Sequence, residues 1–203
     1  MKMLMTLLLL LATTFSATAA TPSEEDQMQE MIYQALFHDP ASPRMGAANA
    51  RLTIISFTDY NCPYCKQFDP MLEKVVQKYP DVAVVFKLLP FRGETSSLAS
   101  RVALTTWREH PQQFLALHQS LMSKKGNHTA ATIDAAATKS GATHVVPDEL
   151  SRETLNLNLQ LARVVGVQGT PATLVGDTLL AGAVPWDSLD ELIQEKRKQA
   201  NVQ

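Results

Sequence analysis

Two cysteines constrain this 203-residue chain more than any other feature: Cys62 and Cys65 are the only ones it has, and Pro63-Tyr64 stands between them. Neither thiol has another intrachain partner, so any redox or thiolate chemistry runs through this unit. The flanks set its surroundings. Leu52–Phe57 is a mostly apolar run with β-branched residues and reads as a buried strand. From Pro63 to Tyr79, Phe68, Leu72, Val75, Val76 and Tyr79 share one helical face. Pro70 interrupts that helix, where a kink is expected, and Pro80-Asp81 ends it. Val82–Leu89 reads as a second buried strand. Strand, crossover helix and strand make a parallel βαβ unit, and the cysteines fall where its first strand gives way to the helix.

That position has chemical consequences. Cys62 is expected at the helix N-cap, with Pro63 at the first helical position, where its fixed φ fits and its missing N–H is no loss. The Cys62 sulfur then faces unpaired backbone N–H groups at the positive end of the helix dipole. These favour thiolate and lower the pKa below the roughly 8.5 of a free cysteine. The thiolate is the attacking species in disulfide exchange. Cys65, one turn in, is expected to be more buried and less acidic, and to act second by attacking Cys62 in a mixed disulfide. A fixed structural bridge across so tight a loop would remove little unfolded-state entropy. A structural zinc site needs four ligands, and the chain offers no other cysteine and no His within a few residues of the pair. Cu(I), which two thiolates can hold, stays open as a rival or companion to redox chemistry.

The rest of the chain supplies context. Met1–Ala19 reads as a secretory signal: Lys2 at the start, an apolar Leu4–Ala12 relieved only by Thr6, and Ala17-Thr18-Ala19 as the small-x-small site. Cleavage is expected after Ala19, with Ala20 as the second choice. The apolar core is far short of the roughly 20 residues of a spanning helix. Residues 20–45 read as an N-terminal helix and linker, and 46–203 as the main domain. Ser23 caps the first helix, with Glu24, Glu25 and Asp26 in its first turn. Its apolar side is Met28, Met31, Ile32, Leu36 and Phe37, and Met28 and Met31 are expected to pack. Ala41–Asn49, with Pro43 and Gly46, reads as linker.

Residues 92–165 form a helical block between strands, with helices over Thr95–Glu109, Pro111–Ser123, Thr129–Lys139 and from Asp148 onward. In the last of these, Leu155, Leu157, Leu159 and Leu161 alternate as in a strand, but length and position favour helix. Ala172–Val175 and Thr178–Ala181, separated by Gly176-Asp177, predict a hairpin. Trp186–Lys198 closes the chain as an amphipathic helix. The scattered His38, His110, His118, His128 and His144 are expected at the surface or at helix ends. A net charge of −2 without basic runs gives no support for nucleic-acid binding. The chain is read as a monomer.

Four features together resemble the DsbA-like thioredoxin-fold disulfide oxidoreductases, over Arg51 to about Lys198. These are the strand–CxxC–helix order, Pro70 eight residues after Cys62, the helical insertion, and Gly166-Val167-Gln168-Gly169-Thr170-Pro171 before a hairpin. The resemblance implies an α/β thioredoxin fold: a central mixed sheet flanked by helices, with an inserted helical subdomain. It implies a cis Thr170–Pro171 bond, where sequence alone would favour trans. It also implies periplasmic action on thiol- or disulfide-containing exported proteins, with a membrane thiol–disulfide reductase as electron donor and no cofactor beyond the dithiol. On this reading Cys62 and Cys65 are catalytic, while Pro63, Tyr64, Thr170 and Pro171 bind substrate and tune the sulfurs.

Three positions depart from the strong oxidases of the family. Tyr64 stands where they carry His, Thr170 where they carry Val, and Ser56 where thioredoxin and DsbA carry a buried acid. Phe57-Thr58-Asp59 is similar to the approach in periplasmic disulfide isomerases, which also pair a Tyr in the CxxC with a Thr before the proline. A DsbA-like body with an isomerase-like site resembles the suppressor-of-copper-sensitivity (ScsC) subfamily. That implies an isomerase or reductase kept reduced and a part in copper tolerance; a DsbA-like dithiol oxidase is the alternative. Asp59 is open between a proton relay for Cys65 and a turn residue.

Overall fold

The computed structural model describes residues 23–143 and 145–200. The expected signal segment, its cleavage at Ala19 or Ala20, and His144 lie outside these residues. Among them are five strands and seven helices: α1 (Glu24–Phe37), β1 (Arg44–Gly46), β2 (Leu52–Thr58), α2 (Pro63–Lys78), β3 (Val82–Leu88), α3 (Glu94–Glu109), α4 (Pro111–Ser123), α5 (Ala130–Lys139), α6 (Glu149–Val164), β4 (Ala172–Val175), β5 (Thr178–Ala181) and α7 (Trp186–Gln199). The strands form one mixed sheet ordered β1-β3-β2-β4-β5. β2 and β3 pair in parallel across the α2 crossover, and the remaining pairs are antiparallel. No helix among the described residues is long and apolar enough to cross a membrane.

The central strands are covered on both sides, which is why β2 and β3 read as apolar runs rather than alternating ones. Ile54, Val84, Phe86 and Val175 meet Phe68 and Leu72 of α2, Phe114 and Leu117 of α4, and Leu189 and Ile193 of α7. Ile55, Phe57, Val85 and Leu174 meet Leu36 of α1 and Leu161 and Ala162 of α6. The ambiguous leucine run is thus helix, and it divides its leucines between the two cores: Leu155 joins the first and Leu161 the second.

Two expectations for the N-terminal region are corrected. Ala41–Asn49 is not a bare linker. Its Arg44–Gly46 forms the edge strand β1, antiparallel to β3. Gly46 is required there: its φ is +90°, and a Cβ would press into the Val82 carbonyl and lie 2.8 Å from Val76 Cγ1. Met28 and Met31 do not pack; they are 54% and 58% exposed, because α1 meets the sheet only through its C-terminal half, around Ile32, Ala35, Leu36 and Phe37. Met45, by contrast, is buried in β1. The Ser23–Asp26 capping box starts α1. Its far end is held from below by Lys87 of β3, fully buried, whose ammonium donates to Ala35 O at 2.6 Å and Ser42 Oγ at 2.6 Å and pairs with Asp39 at 3.3 Å.

Candidate active site

The turn from β2 into α2 is organised by Asp59. This carboxylate is fully buried. Its Oδ1 accepts the Asn61 N–H at 2.7 Å and the Ser96 hydroxyl, and its Oδ2 accepts the Arg92 N–H at 3.1 Å. Its backbone carbonyl takes the Cys62 N–H at 3.0 Å. Between a relay and a turn residue, this geometry favours the turn. Asn61 extends the tie to the insertion, donating to Thr95 Oγ1 at 2.9 Å and accepting the His128 N–H at 2.8 Å.

Cys62 is the N-cap of α2 with Pro63 behind it at the start of the helix. Pro70 lies inside the same helix, which continues through it. The Thr170–Pro171 peptide is cis, and the Cys62 thiol donates to Thr170 O at 3.2 Å. The fold therefore brings together Cys62, Cys65, Thr170 and Pro171, residues more than a hundred positions apart in sequence. Pro63 and Tyr64 frame the site from outside; the Tyr64 side chain is exposed to solvent, and only its backbone serves the sulfur.

The expectation that exposure separates the two thiols holds only weakly, since Cys62 is 2% and Cys65 1% exposed. Hydrogen bonds lower the pKa of one, and desolvation raises that of the other. Burial opposes ionisation of Cys62, but the Cys65 backbone and thiol, the Thr170 side chain and the Tyr64 backbone outweigh it, and its pKa falls below the ordinary thiol value. At Cys65 burial dominates. Thr58, Thr170 and the Asp59 backbone oppose it only in part, a charge on Cys62 adds to it, and the pKa is pushed up to about 12. Of the two sulfurs, Cys62 is the more readily ionised. Ser56, at the position of the family's acid, is buried in β2 opposite Thr173.

One histidine expected at the surface or at a helix end is neither, and a second, at a helix end, is buried. His118 lies mid-helix in α4, 1% exposed, with Nε2 2.8 Å from Asp69 Oδ1 and Nδ1 2.9 Å from Tyr60 Oη. A carboxylate only accepts, so Nε2 carries the proton and Nδ1 accepts from the Tyr60 phenol. Burial keeps that phenol's pKa well above the ordinary value. The relay joins the residue two before Cys62, the insertion helix α4, and α2 one turn beyond Cys65. A sequence signal existed: His118 is in step with Phe114, Leu117 and Leu121 on the apolar face of α4. His128 is buried beside the N-terminus of α5, with Nε2 3.0 Å from Leu121 O, and burial lowers its pKa. His38 and His110 do cap helix ends. Among the described residues, no group of three or more His, Cys, Asp or Glu is placed to hold a metal.

Comparison with known proteins agrees with this geometry. The model of the DSBA-like thioredoxin domain matches residues 53–194. A periplasmic thioredoxin-like protein from Salmonella enterica serovar Typhimurium superimposes with a TM-score of 0.82 at 65% identity, over 83% of this chain and 97% of that one. The catalytic domain of Proteus mirabilis ScsC does so with a TM-score of 0.81 at 49% identity, over 85% and 98% of the two chains. Disulfide bond formation protein D of Bacillus subtilis (strain 168) is 26% identical over 171 residues, 77% of each chain.

Proposed function

The chain belongs to the family of DsbA-like thioredoxin domains, thiol–disulfide oxidoreductases, and from that premise we propose that it reduces or reshuffles wrong disulfides in exported proteins of the periplasm. The observation that carries the exchange chemistry is the unequal sulfur pair beside Thr170–Pro171: Cys62 lowered in pKa at a helix N-cap, Cys65 pushed up to about 12 behind it.

The chemistry follows from that inequality. The Cys62 thiolate attacks one sulfur of a client disulfide; the client S–S bond breaks, a Cys62–client S–S bond forms, and the other client sulfur leaves as thiolate and takes up a proton. In reduction, Cys65 then gives up its proton and attacks the Cys62 sulfur. The Cys62–Cys65 bond forms, the client departs as a dithiol with two electrons gained, and a membrane thiol–disulfide reductase restores the pair. In isomerisation a different client thiolate attacks the mixed disulfide first, and Cys62 leaves as thiolate with no net redox change. The cysteine pair itself does not choose between these outcomes and oxidation. Tyr64 and Thr170, which replace the His and Val of strong oxidases, support the reducing and isomerising direction. The likeness to ScsC supports a part in copper tolerance, with Cu(I) as a second ligand of the same two sulfurs.

Insulin reduction and scrambled-ribonuclease refolding test the reading, with both activities lost in Cys62→Ala. Thiol trapping in the host is expected to find the pair mostly reduced; a mostly oxidised pool overturns the reductase and isomerase assignment in favour of an oxidase. Titration of Cu(I) against a competing chelator is expected to give one copper per chain, dependent on Cys62 and Cys65.

A further inference from the structure

Beside the CxxC a cleft of about 450 Å³ opens between the start of α2 and the loop joining α4 to α5. Pro63 and Met122 give it apolar surface, and Lys66, Arg92, Lys124 and Lys125 give it charge; no carboxylate lines it. Four cations gathered without an acid are unexpected in a chain of net charge −2. Among the described residues none of the four forms an ion pair.

Backbone carbonyls hold two of the ammoniums in place instead. Lys66 donates to Lys124 O and Gly126 O, each at 2.7 Å, and Lys124 donates to Lys125 O at 2.9 Å and Asn127 O at 2.6 Å. Burial first, and then the neighbouring Lys124, lower the pKa of Lys66; the buried Asp59 acts the other way. Asp59 already accepts the Asn61 and Arg92 N–H groups and the Ser96 hydroxyl. Glu73 and Asp69 line a separate cleft that shares Lys66 and Met122. The Arg92 and Lys125 side chains are exposed. The cleft is thus a fixed concentration of positive charge beginning at Pro63, next to the attacking sulfur.

We propose that this cleft seats an acidic segment flanking the reacting cysteine of a client polypeptide, so that clients with Asp or Glu near a disulfide are attacked first. The inference rests on the thiol–disulfide reading above and names a client class for it. Arg92 suits a carboxylate bidentately, and Met122 and Pro63 accommodate its methylene stem. Complementary charge acts mainly on the rate of encounter and is screened by salt.

The test uses three peptide disulfides with the same neutral leaving thiol and with Asp, Asn or Lys flanking the cysteine, each mixed with the reduced protein in a stopped-flow instrument. The Asp peptide is expected to react roughly tenfold faster than the Asn peptide at low ionic strength, with the Lys peptide slowest and the spread collapsing at high salt. In Arg92→Glu/Lys125→Glu the two remaining lysines are balanced by the two new carboxylates, and the spread between the Asp and Lys peptides collapses at every ionic strength. Equal rates for the three peptides on the wild type overturn the cleft while leaving the exchange chemistry standing. Failure of all three to react overturns the exchange reading itself. Binding of a Ser-for-Cys version of the Asp peptide, followed by fluorescence anisotropy, reports the cleft without thiol chemistry. It is expected to weaken in the double variant; binding equal to that of the Lys version, or full displacement by inorganic phosphate at the peptide's own concentration, overturns the proposal.

Discussion

Replacing His118 by Phe isolates the buried relay that ties the turn before Cys62 to the helical insertion. In the wild type Tyr60 is fully buried, His118 1% and Asp69 4% exposed, and the imidazole is the hydrogen-bond partner of both neighbours. A phenyl ring keeps the contacts with Phe86, Phe114 and Tyr60, whose ring centroids lie 4.3, 5.4 and 5.5 Å from that of His118. It offers nothing to the Asp69 carboxylate or the Tyr60 hydroxyl. Leaving a buried carboxylate without its N–H donor and a buried phenol without its acceptor costs about 3–5 kcal/mol, because neither group is compensated. For a domain of this size that corresponds to a Tm lower by roughly 6–20 °C. Removing the whole relay is a different perturbation. In Tyr60→Phe/Asp69→Leu/His118→Phe no polar group is left behind, and most of the loss is expected to return. Urea unfolding of the wild type, the single and the triple variant at one pH measures both. A single variant within about 1 kcal/mol of wild type, or a triple variant no more stable than the single, refutes the argument that satisfied polarity, and not aromatic packing, is what His118 supplies.

Further outcomes follow from the same structure. Thr170→Val removes a side-chain hydrogen bond that helps to lower the Cys62 pKa, so thiolate absorbance should titrate at higher pH and exchange at neutral pH should slow roughly two- to fivefold. The reduced protein should gain stability as pH rises through the folded Cys62 pKa toward the ordinary thiol value, because the folded state releases that proton first. Cys65, at about 12, acts oppositely above that value. Urea midpoints measured up to the ordinary thiol pKa should carry this slope in wild type and lose it in Cys62→Ala. Lys87→Met strips Ala35 O, Ser42 and Asp39 of their shared partner and should cost about 3 kcal/mol, with hydrogen exchange accelerating first in the last turn of α1. Gly46→Ala should cost more than about 1 kcal/mol, since the backbone conformation and the Val82 carbonyl both oppose a Cβ there.

What could be read from the residues was what periodicity and spacing control. The βαβ unit, the N-cap position of Cys62, the helical block between the strands, the hairpin around Gly176-Asp177 and the closing helix each follow from local pattern, and the cis bond came with the family likeness. What local pattern does not encode is partnership across the fold. β1 is three residues long, too short for a periodic signal, and it exists because β3 offers an edge. Met28 and Met31 lie on the helical face that the pattern calls apolar, yet the sheet ends before reaching them. His118 and Lys87 are polar residues in apolar runs. Their burial depends on Asp69, Tyr60, Asp39 and Ser42, which no spacing rule links to them. Cys62 was expected to be favoured as thiolate by backbone donors at the start of its helix; the Cys65 and Tyr64 backbones supply them, and the sequence pattern did not show the added contribution of Thr170, more than a hundred residues away.

The most direct test of this account is mixed-disulfide capture. Cys65→Ala, mixed with an oxidised client and quenched in acid, should accumulate a covalent complex joined through the Cys62 sulfur and cleaved by added thiol. Cys62→Ala should capture none under the same conditions. Capture through Cys65 at a comparable rate, or no complex from either variant, would contradict a mechanism in which the helix-cap sulfur attacks and its buried neighbour releases.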